Sequence, residues 1–273
     1  MTPRLRTPGS IASEVTRASV LPGAARTLLL DLDGTLAPIA PTPEKAKVLP
    51  GALTALRNLV RAGWSVVVVS GRPAKEAEEM VPIPGVRVYG SHGLEDPEGR
   101  NRGDSLSEEI RDRLSVLAAA ASRLSARTPG ARVEFKPAGV AFHERTVPRA
   151  RLAGWRRDLR DLLAASDLDG LEVIRGRRVL EVRPRGVHKG AVLRTETSGA
   201  RTATPDASLV AVGDDETDED LFGDLAGRGL SILVGRERRT SRAAWRLASP
   251  RAVERFLKTL ALGGVRRHRG PTP

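Results

Sequence analysis

The stretch SVVVVS, residues 65–70, limits the fold more than any other part of the chain. A run of β-branched residues with no polar face needs cover on both sides, which is the setting of an interior strand in a parallel sheet. Its neighbours meet that requirement. RTLLLD (26–31) is a second apolar run, and PGALTALRNLVRAG (50–63) is an amphipathic helix ending at Gly63. A helix over 73–80 and the strand VRVYG (86–90) complete a βαβαβ series. The same alternation resumes past Val187, with a helix, SLVAVGDD (208–215), a helix, LSILVG (230–235) and a final helix.

Between these halves the rhythm changes. A helix over 107–127, opened by a capping-box signature from Ser105 to Glu108, precedes the short strands RVEFK (132–136) and VAFHER (140–145), which turn at Pro137-Ala138-Gly139. A second helix over 148–165 leads to LEVI (171–174) and RVLEVR (178–183). This αββαββ unit reads as a small antiparallel sheet backed by helices. The expected fold class is therefore α/β: a Rossmann-like open parallel sheet formed by residues 26–97 and 187–262, with an inserted α+β unit over 98–186. Residues 1–25 and 263–273, rich in Pro, Ser, Thr, Gly and Arg, are expected to be poorly ordered basic tails.

Composition narrows the function. The chain has 273 residues and no cysteine, so disulfides, thiolate zinc sites and cysteine nucleophiles are excluded. No segment reaches the ~18 apolar residues of a membrane span, and the N-terminus lacks the apolar core of a secretory signal. A cytoplasmic protein, with a monomer favoured, is the expectation. The net charge of +12 admits a basic nucleic-acid-binding protein. Against that, aromatic content is 3%, which leaves few stacking platforms, and a basic field also draws in small anionic substrates. Specific nucleic-acid binding is not expected.

Ligands of an open parallel sheet bind beyond the carboxyl ends of its strands, and the polar residues gather there. The first strand ends in Asp31-Leu32-Asp33-Gly34-Thr35, the second in Ser70-Gly71-Arg72, and a later one in Gly213-Asp214-Asp215-Glu216-Thr217-Asp218. A helix starts at His188-Lys189-Gly190. Two acidic clusters at one edge repel unless a cation joins them, and all-oxygen ligands suit a hard ion such as Mg²⁺. An Asp-rich turn and an acidic helix start are the plainer alternatives. The only lysines are Lys45, Lys47, Lys75, Lys136, Lys189 and Lys258. In a chain that otherwise writes positive charge as Arg, Lys189 reads as a place needing a compact point charge.

The four motifs, in this order, resemble the haloacid dehalogenase-like phosphohydrolases. The resemblance implies that Asp31 attacks phosphorus to form an aspartyl-phosphate, that Asp33 is the acid and base, and that Ser70 hydrogen-bonds a phosphoryl oxygen. It further implies that Asp31, Asp214 and the Asp33 carbonyl hold Mg²⁺, with Lys189 beside them and Thr35, Asp215 and Asp218 in support.

Within that superfamily the inserted unit is similar to the cap of trehalose-6-phosphate phosphatases. VEFKPAGVAFHER carries Glu134, Lys136, His143 and Arg145, and RRVLEVRPRGVHKG carries Glu181, Arg183 and Lys189. GSHGLE (90–95) matches in form, while Glu144 stands where that family often has an aromatic. The resemblance implies a Mg²⁺-dependent phosphatase for trehalose 6-phosphate, with sugar or phosphate contacts from Gly71, Arg72, His92, Glu134, Lys136, His143, Arg145 and Glu181. A related phosphatase for sucrose 6-phosphate or a glycosyl-3-phosphoglycerate is the alternative. For Glu134 and Lys136, which alternate on one strand and share a face, a cross-strand solvated ion pair is the plain reading. His143 and Arg145 have a solvent-facing strand edge as theirs, and His92 a core hydrogen bond.

Overall fold

In the computed structural model the described residues are 2–18, 26–98, 106–136, 139–176, 178–197, 209–236 and 239–265. The chain forms two compact units, one of residues 1–93 and 188–273 and the other of residues 94–187.

The first unit contains β1 (Arg4–Leu5), α1 (Pro8–Ala18), β2 (Thr27–Leu30), α2 (Pro50–Arg61), β3 (Ser65–Val69), α3 (Ala74–Met80) and β4 (Val86–Tyr89). The insertion holds α4 (Glu108–Ala126), β5 (Arg132–Lys136), β6 (Gly139–His143), α5 (Arg149–Ala164), β7 (Leu171–Gly176) and β8 (Val179–Pro184). The first unit resumes with α6 (Lys189–Thr197), β9 (Leu209–Gly213), α7 (Glu219–Leu225), β10 (Leu230–Val234), β11 (Trp245–Leu247) and α8 (Pro250–Val265).

Its sheet has the order β1-β11-β10-β9-β2-β3-β4, and each neighbouring pair is parallel. The valine run explains the layers. Val66 and Val68 join Leu28 and Leu30 in a core with Ile11, Leu56 and Phe256 of α1, α2 and α8. Val67 and Val69 join Leu29 in a second core with Leu193, Leu221 and Phe222 of α6 and α7. Alternate side chains of one strand thus serve two helix layers, which is why no polar residue interrupts the run. β2 lies between β3 and β9, pairing Leu28 with both Val66 and Val210. The acidic ends of β2 and β9 are therefore neighbours.

Three expectations need correction. Residues 4–18 are not a loose tail: α1 packs on α8, and Ile11, Ala12 and Val15 are buried. Arg6 lies over the Trp245 ring at 4.2 Å and ties back to Glu14 at 3.1 Å. Three apolar side chains on one helical face suffice here because α8 supplies the partner surface. At the other end α8 continues through Val265, into the expected C-terminal tail; residues 266–273 lie outside the described residues. The helix of the insertion is capped by Ser107, whose hydroxyl accepts from the Ile110 amide. Ser105 lies outside the described residues, as do Pro137 and Ala138 of the expected turn.

In the second unit the antiparallel sheet has the order β5-β6-β8-β7. Val140, Phe142 and Val182 pack with Trp155 and Leu159 of α5 and Leu117 of α4. Register places Glu134 opposite Ala141 and Ala141 opposite Glu181. Since successive side chains alternate, these residues share the face away from that core.

Candidate active site

Asp31 follows β2 directly, and its amide still donates to the Val212 carbonyl at 2.9 Å, so the ladder with β9 holds its backbone in place. Its carboxylate is buried, and Oδ1 accepts from Lys189 Nζ at 2.5 Å. Lys189, at the start of α6, also donates to Asp218 Oδ1 at 2.8 Å. Lys189 and Asp218 are both fully buried.

Asp218 has no oxygen to spare. Its Oδ2 accepts the amides of Asp214 and Asp215, each at 3.0 Å, and so moulds the loop after β9. Asp215 caps the 3₁₀ turn Glu216–Asp218 by accepting from the Glu216 amide at 2.6 Å. The supporting role at Lys189 thus falls to Asp218, while Asp215 shapes the turn. Arg239, which no sequence motif marks, donates to the Asp215 carbonyl at 3.1 Å and pairs with Glu219 at 2.8 Å. It pins the acidic loop from outside.

Carboxylate oxygens of Asp31, Asp214 and Asp218 all lie within 4.8 Å of one another. Gly34 lets this happen. At φ +89° it adopts a left-handed conformation, and a Cβ there would fall 2.1 Å from Asp214 Oδ2. The Asp214 carboxylate therefore lies against the backbone that follows Asp33. Its Oδ1 is buried with no hydrogen-bond partner among the described residues.

The electrostatics match. Burial raises the Asp31 carboxyl to about 7, Lys189 works against this, and Asp218 and Asp33 add to it. Burial likewise lifts Asp214 well above the ordinary carboxylate range, reinforced by Asp31, Asp218 and Asp215. Burial disfavours the Lys189 ammonium, yet Asp218 and Asp31 together hold it above the usual lysine range. Three acids against one base leave an excess of negative charge in a desolvated place, and a buried acceptor of Asp214 has no donor. A divalent cation fits that deficit. Asp31 and Asp214 have oxygens to offer it; those of Asp218 are committed.

Around this centre, Ser70 is buried after β3, and its Oγ accepts from the Arg72 amide at 3.1 Å. The His92 amide donates to the Ser70 carbonyl at 2.9 Å. Ser91 and His92 have φ of 47° and 58°, a left-handed pair costing roughly 1–3 kcal/mol per residue. His92 is buried against Gly71, where a Cβ would fall 2.7 Å from its Cε1. Thr35 is buried, and its hydroxyl has no partner among the described residues. The Arg72 guanidinium reaches Asp33 with two hydrogen bonds, Nε to Oδ2 at 2.6 Å and Nη2 to Oδ1 at 2.8 Å. Nothing in the sequence marks that link across 39 positions.

In the second unit Lys136 Nζ donates to Glu181 Oε2 at 3.0 Å, and both side chains are about one-tenth exposed. Lys136 is thus not part of a solvated pair. Glu134 Oε2 accepts from His143 Nε2 at 2.7 Å, and this contact, against the cost of burial and with help from Lys136, holds Glu134 below the ordinary range. Arg145 lies in the turn past β6. Glu144 is gripped by both arms of Arg156, with Nε to Oε2 at 2.8 Å, which anchors the end of β6 to α5. Arg183 is buried and pairs with Glu172 across the β7–β8 ladder at 2.8 Å.

Comparison with known proteins places this geometry. A trehalose-phosphate phosphatase from Mycobacterium avium is 36% identical over 261 residues, covering 89% of this chain and 64% of that protein. A Mycobacterium tuberculosis protein described as an uncharacterized glycosyl hydrolase is 36% identical over 251 residues, which is 89% of this chain and 19% of its own length. The chain thus spans less than two thirds of these relatives. The C-terminal domain of a trehalose-6-phosphate phosphatase from C. albicans shares the fold, with a TM-score of 0.78 at 23% identity over 96% of this chain and 98% of that one. The family model for trehalose-phosphatase matches residues 29–251, from within β2 to the first turn of α8. Both acidic strand ends, Lys189 and the whole inserted unit fall inside that match, and the chain belongs to the trehalose-phosphatase family.

Proposed function

We propose that the protein hydrolyses trehalose 6-phosphate to trehalose and inorganic phosphate, in the cytoplasm and with Mg²⁺. The observation that carries this reading is the Lys189 ammonium shared by Asp31 and Asp218 while Asp214 Oδ1 lacks a donor. It leaves Asp31 with one committed oxygen and one available for attack.

In the first half-reaction an Asp31 oxygen bonds to phosphorus as the bond from phosphorus to the sugar oxygen breaks, and Asp33 gives that oxygen its proton. In the second, Asp33 takes a proton from water, the water oxygen bonds to the aspartyl-phosphate phosphorus, and the Asp31 carboxylate leaves. Ser70 hydrogen-bonds a phosphoryl oxygen, and Lys189 directs the Asp31 carboxylate and favours its ionised form against the effect of burial. Asp31, Asp214 and the Asp33 carbonyl would hold Mg²⁺, which would supply charge neutralisation for the incoming phosphate.

Sugar recognition is assigned to Glu134, Lys136, His143 and Glu181. Carboxylates and an ammonium on one sheet face satisfy many hydroxyls of a neutral disaccharide, and the relatives' names support the substrate. Asp31→Asn is expected to fold and to release no phosphate. Native-rate turnover by that variant would refute the mechanism. Phosphate release from trehalose 6-phosphate, sucrose 6-phosphate and a glycosyl-3-phosphoglycerate, with and without EDTA, tests substrate and metal together; no preference for the first rejects the sugar assignment.

A further inference from the structure

Arg72 follows the Ser70-Gly71 tip of β3, at the carboxyl edge of the sheet where ligands of such folds bind. Its guanidinium is turned elsewhere. Nε and Nη2 take both oxygens of Asp33 at 2.6 and 2.8 Å, and Nη2 also donates to the Pro43 carbonyl at 2.8 Å. Nη1 lies 3.6 Å from Glu76 of α3. The side chain is 11% exposed, so these partners define its orientation. A two-pronged grip on a carboxylate fixes the plane of that group as well as its distance. Asp33 itself is 34% exposed and would otherwise be free to rotate.

We infer that Arg72 is a positioning residue that sets the rotamer of Asp33 for proton transfer to the leaving oxygen, and is not a ligand of the substrate phosphate. The inference rests on the reading of Asp33 as the proton donor. Arg72 acts through Asp33, so its effect follows how strongly a substrate depends on that proton.

The test compares trehalose 6-phosphate, whose alkoxide must be protonated as it leaves, with p-nitrophenyl phosphate, whose phenolate leaves unaided. The quantity read is kcat/KM, which stops at formation of the aspartyl-phosphate and so excludes the second half-reaction. For Arg72→Gln the value on trehalose 6-phosphate is expected to fall about 10²-fold, the usual cost of a misplaced catalytic group. On p-nitrophenyl phosphate the loss is expected to stay under about 3-fold, with KM little changed. Arg72→Lys keeps the charge beside Glu76 but has no fork; it is expected to show the same split and carries the test if Arg72→Gln does not fold, as judged by circular dichroism. The double variant Asp33→Asn/Arg72→Gln is expected to be no slower than Asp33→Asn alone.

Equal losses on both substrates with a raised KM would make Arg72 a phosphate ligand and overturn the inference. So would independent, multiplying effects of the two substitutions. If Asp33→Asn alone loses equally on both substrates, the proton-donor reading fails first and the inference goes with it.

Discussion

Lys189 sits between Asp31 and Asp218 with almost no access to water, so each partner of this triad fixes the charge state of the others. Removing Lys189 is expected to cost about 3–5 kcal/mol, because it strands two buried carboxylates. The unbalanced charge also has a thermodynamic sign. With Asp31 raised from 3.8 to about 7, the folded metal-free protein holds a proton that the unfolded chain has already released between those values. Stability therefore falls as pH rises through that window and levels off above it. Asp214, also raised, acts in the same direction. Glu134 and Glu144 are lowered, so their stabilisation is lost only as pH falls below the ordinary carboxylate value of 4.5. Melting curves in EDTA are expected to give a lower Tm at pH 8 than at pH 5.5, and a divalent ion is expected to raise Tm more at pH 8. The same metal-induced gain at both values would mean that these carboxylates do not hold the ion.

At the scale of elements, α1 and β8 each carry a checkable consequence. Ile11 is fully buried between α1 and its surroundings, so Ile11→Ala is expected to cost about 2–4 kcal/mol by chemical denaturation while leaving kcat at 25 °C unchanged. A negligible change would mean that α1 adds little to the core. Glu181→Gln keeps the volume of the β8 side chain that pairs with Lys136. It is expected to raise KM for trehalose 6-phosphate about 10-fold or more and to leave that for p-nitrophenyl phosphate nearly unchanged; equal changes would remove Glu181 from sugar recognition. The elements that periodicity reveals are the ones buried on a regular face: the valines of β3, the leucines of β2, the alternating strands of the insertion. β1 and β11 are two and three residues long, too short for any period to register, and the sparse apolar face of α1 becomes meaningful only against α8. In the site, residues at strand ends were legible because chain order puts them there. The fork from Arg72 to Asp33 and the hold of Arg239 on the acidic loop depend on side chains meeting from distant segments, and no local pattern encodes them.

Across the whole molecule, the two units have separate apolar cores, and the acidic centre belongs to only one of them. Withdrawing a divalent ion at pH 8 should therefore loosen amides of β2, β9 and α6 while sparing β6, β8 and α5, as read by hydrogen exchange. Uniform loosening of both sets would show that the units unfold as one. The contact at Gly34 reaches further still. Where the tip of β2 meets the acid of β9, the spacing is kept by a hydrogen atom in place of a methyl group. A descendant of this chain that acquired any larger residue there would have to push the Asp214 carboxylate aside, and with it the oxygens it offers an ion, while every strand stayed paired. Such a protein would keep the architecture while disturbing the one place where the two acidic strand ends meet.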